Sequence, residues 1–396
     1  MNPNTIFTHL PYSASQILES LADGVYVTDR QRRILYWNPA ASRITGWPAE
    51  EMVGRFCHDN LLRHKDTNGT PLCGEESCPL HRAMATDQAS TAPQLVVATG
   101  RNGQKIPVQV SVAPIHDPQG EVIGGVEIFR EVSDQFRDLE RAKAIQAAAM
   151  RMPDRHDPRI SFAVQRLSHE MVGGDFYTVE PLDAHRYVFC VADVMGHGVA
   201  AGLYAMHLHS LWESNRRFLA HPATFVTAVN RSLCQLLLDG ESFATMIYGV
   251  IDLSARALTL VSAGAPPLLL AVESEIRQLQ LSGLPLGVDQ EHIYEVCLLP
   301  VAPGDGLLFC TDGAMEITNQ EGRQLGADGL AKMVAEQGFP VSKADLAKLS
   351  TRLLRWSRCL RLPDDCTMLS IQLLDSKSSN EAAPPLGGHH DPSPSS

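Results

Sequence analysis

The sequence predicts an α+β protein of two domains joined by one helix, and three observations carry that prediction. Short alternating strands with interspersed helical segments occupy residues 13–131; a glycine-free helix follows over 132–152; and from 155 to 375 apolar strands alternate with helical stretches. The 396 residues, 44% of them hydrophobic, are enough for about two or three domains of roughly 150 residues each.

Each element has its own signal. After an N-terminal extension, 1–12, the segment "SASQILESLADG" reads as helix, and "VYVTD" and "RILYWN" as strands joined by the turn-like "RQRR". Helical signals follow at "PAASRITG" and "PAEEMVG". "QKIPVQVSVAPIHDPQGEVIGGVEIFREV" then gives two long strands around "DPQGE", with Val108, Val110 and Val112 alternating on one face. The helix over 132–152 is roughly 30 Å long at 1.5 Å per residue. Phe136, Leu139, Ala142, Ile145, Ala149 and Met152 recur on it at spacings of three or four. We read this stripe as a connector that pairs with a second copy in a homodimer, the other reading being a helix packed on its own domain; Lys143 and Gln146 would intrude in a strict heptad.

Beyond Pro153 the strands are "RYVFCVADV", "ATMIYGVID", "ALTLVSAG", "PLLLAV", "YEVCLLP", "GLLFCTDG" and "TMLSIQLL", with helices over 199–218, 222–239, 326–337 and 343–358. That is too many strands for one thin sheet, so two stacked sheets with helices outside are expected. The tail, 376–396, is rich in Ser, Pro and Gly and is expected to be disordered.

Bulk properties narrow the function. A net charge of −12 without a dense Lys/Arg cluster argues against nucleic acid and against an anionic membrane surface. No apolar run approaches the ~20 residues of a membrane span, and the N-terminus lacks a signal pattern, so a cytoplasmic protein is expected. Six of the nine cysteines are scattered through apolar strands and helices after residue 185, which speaks against a disulfide framework.

The chemistry lies in aspartates at strand ends. Asp193 closes an apolar run in "YVFCVADVMGHG" (187–198), Asp312 another in "GLLFCTDGAMEI" (306–317), Asp175 sits in "VGGDFY" (172–177), and Asp364 and Asp365 precede a strand in "PDDCTML" (363–369). One such motif is more often a turn than a ligand. Four together describe a site for a hard cation, because carboxylates without Cys or His suit Mg²⁺ or Mn²⁺, and buried carboxylates need a neutralising partner.

The order "VGGDFY … ADVMGHGVAAGLYA … FATMIYGVIDLSARALTLVSAGAPPLLL … GLPLGV … PGDGLLFCTDGAMEI … DDCTML" resembles the SpoIIE/RsbU-like phosphatases, a branch of the PPM metal-dependent Ser/Thr phosphatases, over residues 142–374. The resemblance implies a PPM-type α/β/β/α sandwich holding two Mn²⁺ or Mg²⁺ ions. Carried over by position, Asp193 bridges both ions, the backbone carbonyl of Val194 completes one, and Asp175 binds directly or through water. Asp312 and Asp364 hold the second ion, with Asp365 the alternative to Asp364. Two divalent cations acidify a bound water and orient a phosphoryl group for in-line attack. His197 is the nearest candidate acid for the leaving oxygen, a structural role at its turn being the other reading. Thr178 and Ala265 depart from the family pattern, at positions where relatives have Asp and His.

"LADGVYVTDRQRRILYWNPAASRITGWPAEEMVGR" resembles a PAS sensor domain, through "DGV", "WNPAA" and "TGWPAEEMVGR", over about residues 13–131. Inside it an unusual insertion, 56–84, gathers Cys57, Cys73 and Cys78 near His58, His64 and His81. Three thiols and an imidazole such as His58 would hold Zn²⁺, an iron–sulfur cluster or haem iron; local packing and a regulatory thiol pair are the competing expectations. Together these features imply a signal-regulated phosphatase acting on a phosphorylated protein, by family analogy a STAS-type anti-sigma-factor antagonist, with dimerisation through the PAS domain and the helix. A phosphatase-like docking module without turnover is the alternative.

Overall fold

A computed structural model describes residues 12–375 apart from 60, 68, 75–76, 155, 237–241, 274 and 359–361. The tail expected to be disordered, 376–396, lies outside the described residues. The chain divides into two units, Met1–Arg141 and Ala142–Ser396.

The N-terminal unit runs α1 (Ala14–Ser20), β1 (Gly24–Asp29), β2 (Ile34–Trp37), α2 (Pro39–Thr45), α3 (Ala49–Met52), α4 (Pro79–Thr86), β3 (Gln94–Thr99), β4 (Lys105–His116) and β5 (Val122–Glu131). The five strands form one antiparallel sheet in the order β2-β1-β5-β4-β3, as a PAS fold requires of a small sheet with flanking helices. Strand β3 was not legible in the sequence. The "WNPAA" motif has a physical explanation: buried Asn38 caps α2, its Oδ1 accepting from Ala41 N and Val25 N, while Nδ2 donates to the carbonyls of Leu18 and Asp23. Pro39 opens the helix and Gly46, at φ 73°, closes it in the left-handed conformation. Tyr26, Trp37 and Phe129 meet ring to ring in the core.

A buried carboxyl adjoins that core. Glu127 stands directly across from Tyr26 in the β1–β5 register and accepts from its hydroxyl at 2.8 Å, while its other oxygen lacks a hydrogen-bond partner. Burial pushes its carboxyl up to about 7. A folded-state value above the unfolded one means that this contribution to stability is complete below about pH 4.5 and is lost as pH rises through 7. Glu127→Gln keeps an acceptor for Tyr26 and removes the charge, so it should stabilise this unit at pH 8 by up to on the order of 3 kcal/mol, and by far less at pH 5. Hydrogen exchange of the β1 and β5 amides reads this locally; equal protection in both proteins at pH 8 would refute it.

Helix α5 (Ser133–Ala149) crosses the division between the units. Its stripe differs from the expected one. Ile145 is 62% exposed, whereas Gln146, the supposed intruder, is 2% exposed. The last turns of α5 thus pack within the C-terminal unit through Gln146 and Ala149, with Met150 and Met152 joining its cores, instead of presenting Ile145 on a continuous seam.

The C-terminal unit contains β6 (Ile160–Leu167), β7 (Phe176–Pro181), β8 (Arg186–Val194), α6 (Gly198–Ser214), α7 (Pro222–Leu236), β9 (Ala244–Asp252), β10 (Ala257–Ala263), β11 (Leu268–Val272), β12 (Glu275–Leu279), β13 (Cys297–Pro300), β14 (Gly306–Cys310), α8 (Gly326–Gln337), α9 (Lys343–Ser357) and β15 (Cys366–Leu373). Two antiparallel five-stranded sheets result, in the orders β13-β10-β9-β8-β7 and β12-β11-β14-β15-β6. Strand β8 shows why its sequence is apolar throughout. Val188, Cys190, Ala192 and Val194 face α6 and α7, while Tyr187, Phe189 and Val191 face the other sheet, where Phe189 meets Phe309 at 4.8 Å. Strand β14 divides the same way, Leu308 and Cys310 packing with α8 and α9, and Leu307 and Phe309 between the sheets. The layers are therefore helix, sheet, sheet, helix, as expected. Cys190, Cys310 and Cys366 are buried free thiols serving as small apolar groups.

Candidate active site

The interior strands β8 and β14 end beside one another and deliver Asp193 and Asp312 to the same place. Asp193 is buried at the last turn of β8, and Asp312 opens a short 3₁₀ turn after β14, where its carbonyl accepts from Met315 N and Glu316 N. Between β6 and β7 the chain turns through Gly173 and Gly174 to place Asp175, which is fully buried. Only glycine fits there: a Cβ on Gly174 would lie 2.6 Å from the Val194 carbonyl oxygen, and one on Gly173 would lie 2.0 Å from an Asp365 carboxylate oxygen.

The carboxylates crowd one another. Asp193 is pushed up to about 10, first by burial and then by the charges of Asp175, Asp312 and Asp364. Burial lifts Asp175 to about 7; its Oδ2 accepts from Thr311 Oγ1 at 3.1 Å, and its Oδ1 is buried without a hydrogen-bond partner. Asp312 is raised by burial and by Asp364. Arg166 is the cation that counters Asp175 and Asp365. Four converging carboxylates with an orphaned oxygen and so little positive charge fit a divalent cation far better than they fit each other.

Asp364 and Asp365 separate cleanly. Asp365 is buried and spends both oxygens on backbone, Oδ1 accepting from His169 N and Oδ2 from Gly174 N, each at 2.8 Å. It clips the β15 approach to the Asp175 turn. Half-buried Asp364, whose charge is felt by Asp193 and Asp312, is the one that faces the cluster.

Three participants escaped the sequence. Gln146 brackets the turn from α5: its Nε2 donates to Gly173 O at 2.6 Å, and its Oε1 accepts from Gly173 N at 3.3 Å and from Arg166 Nη2 at 2.9 Å. Glu316, raised by burial and by the charges of Asp312 and Asp364, stands near the cluster. At the rim, His197 Nδ1 contacts Glu170 Oε1 at 2.7 Å. Only the "DGAMEI" string hinted at any of them, because a glutamine on a helix and a glutamate in a loop are ordinary surface residues.

In the N-terminal unit the three thiols lie close enough to act on one another without closing into a three-ligand group among the described residues. Among the described residues, Cys57, Cys73, Cys78 and His58 do not bring three ligand atoms to one point. Burial raises all three thiols, Cys73 to about 11, and the neighbouring thiols add to the shift of Cys57 and Cys73. His58 packs its ring against Phe56. The physical reason is the hydrophobic core: Cys57 sits inside it and Cys78 packs against it.

Comparison with known proteins agrees with this architecture. Residues 183–374 match the family described as Stage II sporulation protein E (SpoIIE), and residues 18–137 match the PAS fold. A 186-residue stretch is 30% identical to "Phosphoserine phosphatase RsbP" of Bacillus subtilis, covering 46% of this chain and 46% of that protein. Similarity to "Phosphoserine phosphatase RsbU" of the same organism is 22% over 249 residues, 62% of this chain and 73% of that one. The chain thus spans less than half of the first of these relatives. Among solved structures, the "SiaA-PP2C domain of Pseudomonas aeruginosa" superposes with a TM-score of 0.54 at 21% identity, covering 61% of this chain and 98% of that domain, and shares the fold. Among the described residues no helix is long and apolar enough to cross a membrane. Sheet order, acidic cluster and both family matches converge: the chain joins a PAS-fold domain to a SpoIIE-family domain of PP2C-type architecture.

Proposed function

We propose that this protein is a PAS-regulated, metal-dependent phosphatase that removes phosphate from serine or threonine of a partner protein. The observation that carries the reading is the cluster of buried Asp175 and Asp193 with half-buried Asp312 and Asp364, crowded with little positive charge beside it, which costs stability unless cations occupy it. A docking surface gains nothing from such a cluster, so turnover is favoured over the docking alternative. Asp193 would be shared between two Mn²⁺ or Mg²⁺ ions, with Asp175, Asp312, Asp364 and the Val194 carbonyl as the remaining protein ligands. When bound, such ions supply positive charge for the phosphoryl oxygens and a water acidic enough to attack near neutral pH. The chain itself keeps the ligands in place: Asp365 and Gln146 hold the Asp175 turn through its backbone, and Thr311 orients Asp175. His197 pairs with Glu170 at the rim, and this reading gives it no proton-transfer step.

The named relatives support a phosphoserine substrate, and by analogy the partner is a STAS-type antagonist of an anti-sigma factor. The N-terminal unit would receive the signal, with buried Glu127 and Tyr26 and the mostly covered His64 as its polar centre, and α5 would pass it on, with a homodimer formed through both in the cytoplasm. The test is phosphate release from a phosphorylated STAS domain with and without Mn²⁺. Turnover should require the metal and fall by ~10³-fold in Asp312→Asn. Release that ignores both would defeat the proposal, and a strictly monomeric chain in light scattering would remove its dimer.

A further inference from the structure

Beside the carboxylate cluster lies a second group of ligands with a different chemistry. His169, Glu170 and His197 each offer one ligand atom, and the three atoms lie within 4.8 Å of one another. We propose that these residues form a separate binding site for one borderline transition-metal cation of the Zn²⁺ class.

The tautomer of His169 is the first support. Its Nδ1 lies 2.8 Å from the backbone carbonyl of Leu362. A carbonyl only accepts, so Nδ1 carries the proton and Nε2 of the neutral ring keeps its lone pair. An Nδ1–H donated to a carbonyl is the arrangement that metal-bound imidazoles adopt, because it orients the ring and raises the basicity of the other nitrogen.

Placement is the second. His169 is tied down through its own backbone N–H, which donates to Asp365 Oδ1. His197 is the residue before α6, between Gly196 and Gly198 at φ 90° and 81°, a path that brings its ring within 5.0 Å of the His169 ring. Tetrahedral zinc with bonds of ~2.0–2.1 Å holds its ligand atoms roughly 3.3 Å apart, so side-chain rotations alone close the group. Half-exposed side chains, 52% for His197 and 46% for Glu170, leave the site open to ions from solvent and a fourth position open to water.

Donor type then separates the two neighbouring sites. Two imidazoles and one carboxylate select zinc, cobalt or nickel, whereas the all-carboxylate cluster selects magnesium or manganese. A bare His197–Glu170 ion pair would be worth little at this exposure and would leave the fixed His169 tautomer unused.

Titration of the metal-free, full-length protein with Co²⁺ tests this. Wild type should bind one Co²⁺ with the intense visible band of a tetrahedral site and no thiolate charge-transfer band, and Zn²⁺ should displace it. Asp193→Asn, which disables the carboxylate cluster, should retain that site. His169→Ala and His197→Ala should weaken it at least ~100-fold, and the milder Glu170→Gln at least ~10-fold, with unchanged circular dichroism. Thiolate bands, equal affinity in the histidine variants, or no tetrahedral cobalt at all would overturn the proposal. The readout is binding, so its failure leaves the phosphatase reading standing.

Discussion

Asp193→Asn is expected to eliminate turnover, by ~10³-fold or more, and at the same time to make the metal-free protein more stable. Both effects have one cause. Asp193 is buried, and its carboxyl is raised by burial and by Asp175, Asp312 and Asp364, so without cations it is a repulsive centre. The sign follows: the folded carboxyl holds a proton that the unfolded one releases, so this contribution is full in acid and is lost as pH rises towards about 10. Asparagine removes the penalty, for a gain of at least ~1 kcal/mol at pH 8, or about 2–4 °C in Tm for a domain of this size. Mn²⁺ should reverse the order. At a hundredfold excess over Kd it stabilises wild type by about 2.7 kcal/mol and the variant by much less. Thermal denaturation with and without Mn²⁺, read beside phosphate release, decides the matter. A wild-type Tm indifferent to Mn²⁺ would mean that the cluster is not the metal site.

The second large effect belongs to a residue with no chemistry of its own. Gln146→Leu should destabilise the C-terminal unit by about 2–4 kcal/mol, because the carbonyl and N–H of Gly173 and the Arg166 guanidinium all lose a buried partner. It should also weaken Mn²⁺ activation roughly tenfold, since Gly173 lies two residues before Asp175 and outer supports of metal ligands carry effects of about that size. Ile145→Ala is the control: at 62% exposure it should cost under about 0.5 kcal/mol. Activation curves for the two variants separate the explanations. Were Ile145 the costlier loss, α5 would be acting through a seam with another chain, and its grip on the Asp175 turn would be incidental.

Legibility tracked how local each signal was. Strands β8 and β14 were plain because both of their faces are buried, which makes 187–192 and 307–310 continuous apolar runs just ahead of Asp193 and Asp312. Strand β12 was not, since its pattern is mostly exposed and only pairing with β11 makes it a strand. Gln146 was misjudged for a related reason: a heptad scores glutamine as an intruder, yet its amide matches a backbone donor and acceptor brought near only by folding.

By itself the sequence determined the two-domain α+β plan, the strand ends carrying Asp175, Asp193 and Asp312, and the PAS and SpoIIE-type resemblances, because each of these is written in short runs of neighbouring residues. Only the tertiary structure decided that Asp365 is a backbone clip while Asp364 faces the cluster, that Cys57 packs inside the N-terminal core, that α5 holds the Asp175 turn, and that His169 meets His197. Those outcomes depend on hydrogen bonds and burial between segments up to 196 positions apart, as from His169 to Asp365, and local patterns carry no record of such distances.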